Sequence, residues 1–502
     1  MADMLLGLDI GTTSAKGVLL STDGRVVAEA SSAPYPISQL KPGWAEQNPE
    51  DWWQAACGVI RELCAQVEGS ERIAGVAISG QGCACTLVDE QGTVLRPAII
   101  WMDTRAAAET ATMTARWGDE VLRLNGNGVG AYNTEPKLLW LREHEPEVYA
   151  RAAYTLTTTA YVTFKLTGKA VMNRADGGIL FAYDLARGDW SRVLLEEMAV
   201  RPELYPPLYP CAAPIGEVTS QAARDSGLRA GTPVMAGGED SPAAALSVGV
   251  TQAGDAFLSL GTAAVVGVCL PAGHSLREPR ILTYPHVLPD LLIASGSMSS
   301  AGAAVEWLAH EFGASYGLQR QNYDGFNSAV QQSPPGANGV IFLPYLAGEL
   351  HPILDANARG VFFGLSIGTR REDIARAVME GSAMAIRHNL SVARATGAGV
   401  QQLYASGGPT RSEPWCQIIA DVTGQPLRVV ESSGAAVGDA LIAGVGVGLI
   451  ADAGEMARRM VKVEREYAVR TEYRARYDHI YTTFVRLYEH LAADFAFMAQ
   501  CP

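Results

Sequence analysis

Short apolar runs and turn-forming clusters alternate through the first thirty residues. Leu5-Leu6-Gly7-Leu8-Asp9-Ile10 is an apolar run that ends around an acid. Gly11-Thr12-Thr13 breaks it, Lys16-Gly17-Val18-Leu19-Leu20 resumes it, and Thr22-Asp23-Gly24 leads into residues 25–30. Such runs, bounded by glycine and polar residues, predict a meander of antiparallel strands. Asn48-Pro49-Glu50-Asp51 combines an N-cap residue, a first-turn proline and first-turn acids, so a helix is expected to about Val67. A strand is expected at 73–79 and mainly helix from about 106 to 167. The stretch 204–214 is proline-rich and irregular, and a short buried strand at 233–238 ends in Gly237-Gly238.

The opening pattern then recurs. Ala256-Phe257-Leu258-Ser259-Leu260-Gly261-Thr262 is again a strand running into Gly-Thr, and Val265-Val266-Gly267-Val268 resumes it. The repeat predicts two α/β domains, residues 1–246 and 247–502, each with strands alternating with helices. The second half is expected to end in glycine-rich loops and helices, at Ser406-Gly407-Gly408 and from Gly434 to Gly448, with a C-terminal helix from about Thr471.

A length of 502 residues, 48% of them hydrophobic, fits two large cores. The net charge of −14 is spread without acidic runs and disfavours a nucleic-acid partner, which needs a basic face. No basic stretch precedes an apolar core at the N-terminus, and no run of about 18 apolar residues occurs, so neither a signal peptide nor a membrane partner is expected. The eight cysteines (Cys57, Cys64, Cys83, Cys85, Cys211, Cys269, Cys416 and Cys501) are scattered. They read as reduced packing residues of a cytoplasmic protein.

Chemistry concentrates at the turns. Gly11 lets backbone approach a phosphate, Thr12 and Thr13 offer N–H and hydroxyl donors, Lys16 is in reach of an anion, and Asp9 suits hydrated Mg2+. An ordinary hairpin explains the first turn alone, but the echo at Gly261-Thr262 favours two phosphate loops facing across a cleft, as in actin-like ATPases. The Gly-x4-Gly-Lys-Ser/Thr pattern is absent. Asp240, in Gly237-Gly238-Glu239-Asp240-Ser241-Pro242, fits a general base at a strand end or, equally, a helix N-cap. Gly407-Gly408-Pro409-Thr410-Arg411-Ser412 fits an anion-binding turn or a plain strand-to-helix turn. Asp103, in Trp101-Met102-Asp103-Thr104-Arg105, fits a sugar-hydroxyl acceptor or a surface Asp–Arg pair beside a core tryptophan. The histidines make no metal-ligand spacing and read as structural.

Two long motifs carry a resemblance. They are Tyr132-Asn133-Thr134-Glu135-Pro136-Lys137-Leu138-Leu139-Trp140-Leu141-Arg142-Glu143-His144, and Gly360-Val361-Phe362-Phe363-Gly364-Leu365 with Asp373-Ile374-Ala375-Arg376-Ala377-Val378-Met379-Glu380. With these, the chain resembles the FGGY carbohydrate kinases over nearly its whole length. The resemblance implies an α/β fold of two actin-like ATPase (ribonuclease H-like) domains with ATP and Mg2+ in a central cleft. It implies Asp240 as general base and Asp9 near the metal. Thr12, Thr13, Lys16, Gly261, Thr262, Gly302, Gly408 and Ser412 are implied around the nucleotide, and Gln81, Trp101 and Asp103 around the sugar. A homodimer is a family-level expectation.

The phrasing is closest to xylulokinases and related pentulose kinases, so the expected reaction is phosphorylation of a primary hydroxyl of a pentulose. Gly82-Cys83 departs from the Met-His usual there, which predicts a larger pocket or a change in the hydroxyl that is read. Tyr132 matches a substrate-contacting tyrosine of glycerol kinases, which keeps a glycerol- or tetritol-type acceptor as the alternative. A non-kinase ATPase of the same fold, or a silent sugar-binding relative, accounts for fewer of these features.

Overall fold

The computed structural model describes residues 3–67, 69–274, 277–313, 324–431 and 434–500. Two compact units emerge. The first comprises Met1–Gln252, Pro271–Ile293 and Ser433–Val461, and the second Ala253–Leu270, Ala294–Ser432 and Lys462–Pro502. The main segment of the first unit ends at Gln252. The division is nevertheless not a single cut, because two later segments return to the first unit.

The first unit is built on a six-stranded sheet. Its strands are β1 (Met4–Ile10), β2 (Ala15–Ser21), β3 (Val26–Ser31), β4 (Ile73–Gly80), β5 (Pro214–Glu217) and β6 (Pro233–Met235), in the order β5-β6-β4-β1-β2-β3. The β1–β2–β3 meander is antiparallel, whereas β1, β4 and β6 run parallel. The helix Pro49–Gln66 starts where its cap chemistry predicts, with the Asn48 side chain accepting from Glu50 N at 3.2 Å. Its buried face, with Trp52, Trp53 and Ile60, packs with Tyr161 on one side of the sheet.

On the other side lies the helix Gly434–Gly446. The glycine-rich stretch expected to hold loops and helices forms one continuous buried helix from Gly434 to Gly446. Its glycines serve close packing. A Cβ on Gly438 would stand 2.1 Å from the Ala243 carbonyl oxygen, and one on Gly7 of β1 would stand 1.8 Å from that of Ala436. Neither contact is possible for real atoms, so Gly438 lets the helix Asp240–Ser247, and Gly7 lets β1, approach this helix at backbone distance.

The second unit repeats the plan. Its strands β7 (Asp255–Leu260), β8 (Ala264–Pro271), β9 (Leu291–Met298), β10 (Gln402–Ser406), β11 (Leu427–Val430) and β12 (Val463–Tyr467) run in the order β9-β8-β7-β10-β11-β12. The hairpin β7–β8 is antiparallel and β10 joins β7 in parallel, as β4 joins β1. The second long motif builds the interior of this unit. On the helix Arg371–Ala395, Arg376 Nε meets Glu380 at 2.6 Å, and Tyr477 and the Gly336 N–H also donate to Glu380. Ser333 and Asn338 donate to Asp373. Among the described residues no helix is long and apolar enough to cross a membrane. The seven described cysteines are buried and unpaired, and Cys501 lies outside the described residues.

Candidate active site

Asp9, Lys16 and Ser79 form one row across the first sheet. Asp9 is registered against Lys16 on β2 and against Ser79 on β4. Directly paired residues project to the same face, and Asp9 shares that face with Gly7, two residues earlier. It therefore points to the side where the helix Gly434–Gly446 packs. One Asp9 oxygen, Oδ1, is fully enclosed and has no hydrogen-bond partner. Burial first, and the neighbouring Asp240 second, raise its carboxyl to about 7, with Lys16 opposing.

The turn after Asp9 is tied down from several sides. Gly11 N donates to Ser14 O at 3.2 Å, and Tyr35 donates to Gly11 O. Gln47 Nε2 donates to Thr12 O at 2.7 Å, and Trp101 Nε1 to the Thr12 hydroxyl at 3.0 Å. Gln81 joins this set, giving its amide to Gln47 Oε1 at 2.7 Å while its own Oε1 is buried without a partner. Thr13 and Lys16 are exposed. Trp101, expected on the sugar side, is thus coupled to the Thr12 turn directly, and Gln81 is coupled to it through Gln47.

Asp240 opens the helix Asp240–Ser247, and Glu239 is its N-cap, accepting from Ser241 N at 2.9 Å. The N-cap reading thus belongs to Glu239 and leaves Asp240 available for other work. Asp240 is half-buried, accepts from the Ser241 hydroxyl at 2.9 Å, and is raised above the ordinary carboxylate range, mainly by burial. Glu239 is raised well above that range, by burial and by the charge of Asp240.

Gly82 stands beside this pair, and its surroundings are full. A Cβ there would meet Ile179 Cδ1 at 2.5 Å and Glu239 Oε1 at 3.1 Å. The glycine therefore does not enlarge a pocket, because the space is taken by Ile179 and by the carboxyl of Glu239. Cys83 is buried and adopts a left-handed φ of 57°. Its carbonyl accepts from Lys137 Nζ at 2.9 Å, and the same ammonium donates to Tyr132 O at 2.6 Å. Lys137 is fully buried, and desolvation lowers it to about 8. The first long motif thus locks the turn at 82–83 to Tyr132.

Asp103 and Trp101 depart from the bland expectation in both respects. The Asp–Arg pair is buried, whereas Trp101 is 44% exposed. Asp103 Oδ1 accepts from Arg105 N and Nε, both at 2.9 Å, while Oδ2 accepts from Arg105 at 2.8 Å and from Ala45 N. Arg105 also meets Glu46 at 2.7 Å and stacks over Trp44 at 3.7 Å.

Two acids escaped the sequence reading. Asp176 follows the capping Asn173 by three residues and is held by Thr157 at 3.0 Å and Asn173 at 2.8 Å. Burial raises it to about 7. Asp439 lies on the helix Gly434–Gly446 and accepts from Ser79 Oγ at 2.6 Å through Oδ2, while its Oδ1 is buried without a partner. Burial raises it well above the carboxylate range, and Asp9 and Asp240 add to the effect. An acid capped by asparagine was a readable signal for Asp176, but nothing in the glycine-rich run marked Asp439.

In the second unit, Gly261 N donates to Ala263 O at 2.9 Å, and Thr262 is exposed. The start of the helix Gly302–Phe312 grips this turn, because Gly302 N donates to Gly261 O, and Ala301 N and Ala303 N donate to Thr262 O. A Cβ on Gly302 would lie 2.4 Å from Gly261 O, so only glycine fits there. Gly408 is exposed at the start of a single turn after β10. Ser412 caps the helix Glu413–Thr423 and donates to Asn327 at 2.7 Å.

Two units that each add a parallel strand to the first strand of an antiparallel meander, each with a Gly-Thr hairpin, define an actin-like, ribonuclease H-like α/β protein. Comparison with known proteins agrees. The N-terminal domain model of the FGGY family of carbohydrate kinases matches residues 4–247 and the C-terminal model residues 256–447. The xylulose kinase of Escherichia coli (strain K12) is 34% identical, with 97% of this chain and 99% of that protein covered. That of Bacillus subtilis (strain 168) is 29% identical, with 97% of each covered. The crystal structure of xylulose kinase from Rhodospirillum rubrum superposes with a TM-score of 0.91 at 33% identity, covering 98% of this chain and all of that one. The chain belongs to the FGGY family of carbohydrate kinases.

Proposed function

We propose that this chain transfers the terminal phosphoryl group of ATP to a primary hydroxyl of a pentulose, with xylulose as the leading candidate. The observation that carries the proposal is the position of Asp240. It follows a parallel strand and two glycines, is half-buried with the cap duty taken by Glu239, and its burial raises its basicity against the opposing hydrogen bonds of Glu239 and Ser241. A raised carboxylate of this kind accepts the proton of an attacking hydroxyl more readily than an ordinary one. Full-length similarity to xylulose kinases supports the choice of acceptor.

Gln81, Gly82, Cys83, Trp101, Asp103 and Tyr132 are proposed around the acceptor. Lys137 and Arg105 fix the backbone and side chains of that group. Thr12, Thr13 and Lys16 in the first unit, and Gly261, Thr262, Gly302, Gly408 and Ser412 in the second, are proposed for ATP. Gly302 acts by letting its helix seat against the Gly261 turn. The unpartnered, enclosed Oδ1 of Asp9 suits a divalent cation. Asp9 would hold Mg2+ there, and the ion would supply charge that offsets the phosphates. Buried, unpaired cysteines support a cytoplasmic setting.

The test is acceptor-dependent ADP release over a panel of pentuloses, tetritols and glycerol, with the product identified by mass. Turnover with a pentulose supports the reading. Turnover with glycerol or a tetritol alone would move the acceptor class, and ADP release without any acceptor would point to a non-kinase ATPase.

A further inference from the structure

We infer that Asp439 is a further acid of the divalent-cation site, an outer carboxylate on the helix Gly434–Gly446 that accepts from water bound to the cation near Asp9. The inference rests on the reading that the first unit holds a divalent cation.

Four observations lead to it. The sheet register turns Asp9 toward the face on which this helix packs, because Asp9 shares that face with Gly7 and a Gly7 Cβ would strike Ala436. Ser79, registered beside Asp9 in the same row, donates to Asp439 Oδ2 at 2.6 Å and so fixes the carboxylate opposite Asp9. The other oxygen, Oδ1, is enclosed, has no partner, and lies 3.8 Å from the ideal Cβ position of Gly238, two residues before Asp240. Asp9 Oδ1 is enclosed and unpartnered as well. Two orphaned carboxylate oxygens, linked through Ser79 in Asp9's row, have no protein donor, and burial of unpaired acceptors is costly. A hydrated cation supplies donors and charge together.

The geometry also fixes the mode of binding. Among the described residues, the one group with three ligand atoms mutually within 4.8 Å is Glu109, Glu143 and His144, so the acids around Asp9 do not close a three-ligand cage. A cation that keeps most of its waters, as Mg2+ does, uses such spaced carboxylates through water. Asp439 is thus a positioning residue for the hydrated ion, and Ser79 orients Asp439.

The experiment measures Mn2+ affinity by the electron paramagnetic resonance of free Mn2+, with ADP present so that no turnover occurs. Wild type is compared with Asp439→Asn, Asp439→Ala, Ser79→Ala and Asp9→Asn, each checked for folding by melting temperature. Outer ligands typically set about 10- to 100-fold in affinity. Asp439→Asn and Asp439→Ala are expected to weaken Mn2+ binding about ten-fold or more, and Ser79→Ala to weaken it less. If Asp9→Asn weakens binding but both Asp439 variants keep wild-type affinity, Asp439 is a neutral packing acid and the inference is overturned. If Asp9→Asn also keeps wild-type affinity, the cation reading of the first unit falls with it.

Discussion

Replacing Asp9 with asparagine should make the metal-free protein more stable as the pH rises. The Asp9 carboxyl moves from 3.8 to about 7 on folding, because burial penalises the charge and Asp240 repels it, against the attraction of Lys16. For an acid whose folded value is raised, the stabilising contribution is complete below the unfolded value and is lost as pH climbs through the folded one. Wild type therefore loses this contribution between about pH 4 and about pH 7, whereas asparagine has nothing to ionise. A displacement of roughly three pH units, at about 1.4 kcal/mol per unit, sets an upper scale of about 4 kcal/mol. For a unit of this size that upper scale amounts to about 8–16 °C in melting temperature, by the usual conversion of about 2–4 °C per kcal/mol. The assay is thermal and urea denaturation of both proteins in chelator, from about pH 5 to about pH 8.5. The gap should be small at the acid end and widen in favour of Asp9→Asn toward the basic end. Added Mg2+ should close it from the wild-type side. A gap that stays constant across this range would refute the reasoning, since it would mean that the Asp9 carboxyl keeps the same protonation in the folded and unfolded chains.

Other substitutions test separate parts of the site. Gly82→Ala places a methyl 2.5 Å from Ile179 Cδ1 and 3.1 Å from Glu239 Oε1, so Ile179 and Glu239 must shift. The expected result is a loss of about 1–3 kcal/mol in urea denaturation, with a raised acceptor KM and an unchanged ATP KM in steady-state assays. Gly302→Ala meets the Gly261 carbonyl at 2.4 Å and should raise the ATP KM with little effect on that of the acceptor, the reverse split. Lys137→Met strips the donor from the Cys83 and Tyr132 carbonyls, and each orphaned carbonyl costs about 1–3 kcal/mol. Its stability loss should appear in denaturation curves, and its acceptor KM should rise because the turn at 82–83 loses its anchor.

The parts of this protein that were legible in the sequence are those where local chemistry decides the structure. Asn48-Pro49 starts its helix because the cap is built from adjacent residues, and the two Gly-Thr turns stand out because each interrupts an apolar strand. The continuity of the helix Gly434–Gly446 was not legible, because its glycines weaken the helical signal while serving tertiary packing, as Gly438 does against Ala243. Asp439 was hidden for the same reason, since its meaning comes from Ser79, 360 residues away in the chain. Gly82 misled in a different way. A small residue suggests space, but the side chains that fill it belong to Ile179 and to Glu239, next to the proposed base. Asp103 and Trp101 were found as a pair, yet which of them is buried depends on Glu46, Trp44 and Ala45 in another segment.

The central claim is that Asp240 takes the proton from a sugar hydroxyl during transfer from ATP. Its most direct measurement is acceptor-dependent ADP release by wild type and Asp240→Asn with xylulose, alongside ATP affinity determined calorimetrically in both. The account predicts a kcat lower by about 10²–10⁴, the span of a lost general base, with ATP affinity retained. Near-normal turnover by Asp240→Asn would contradict it.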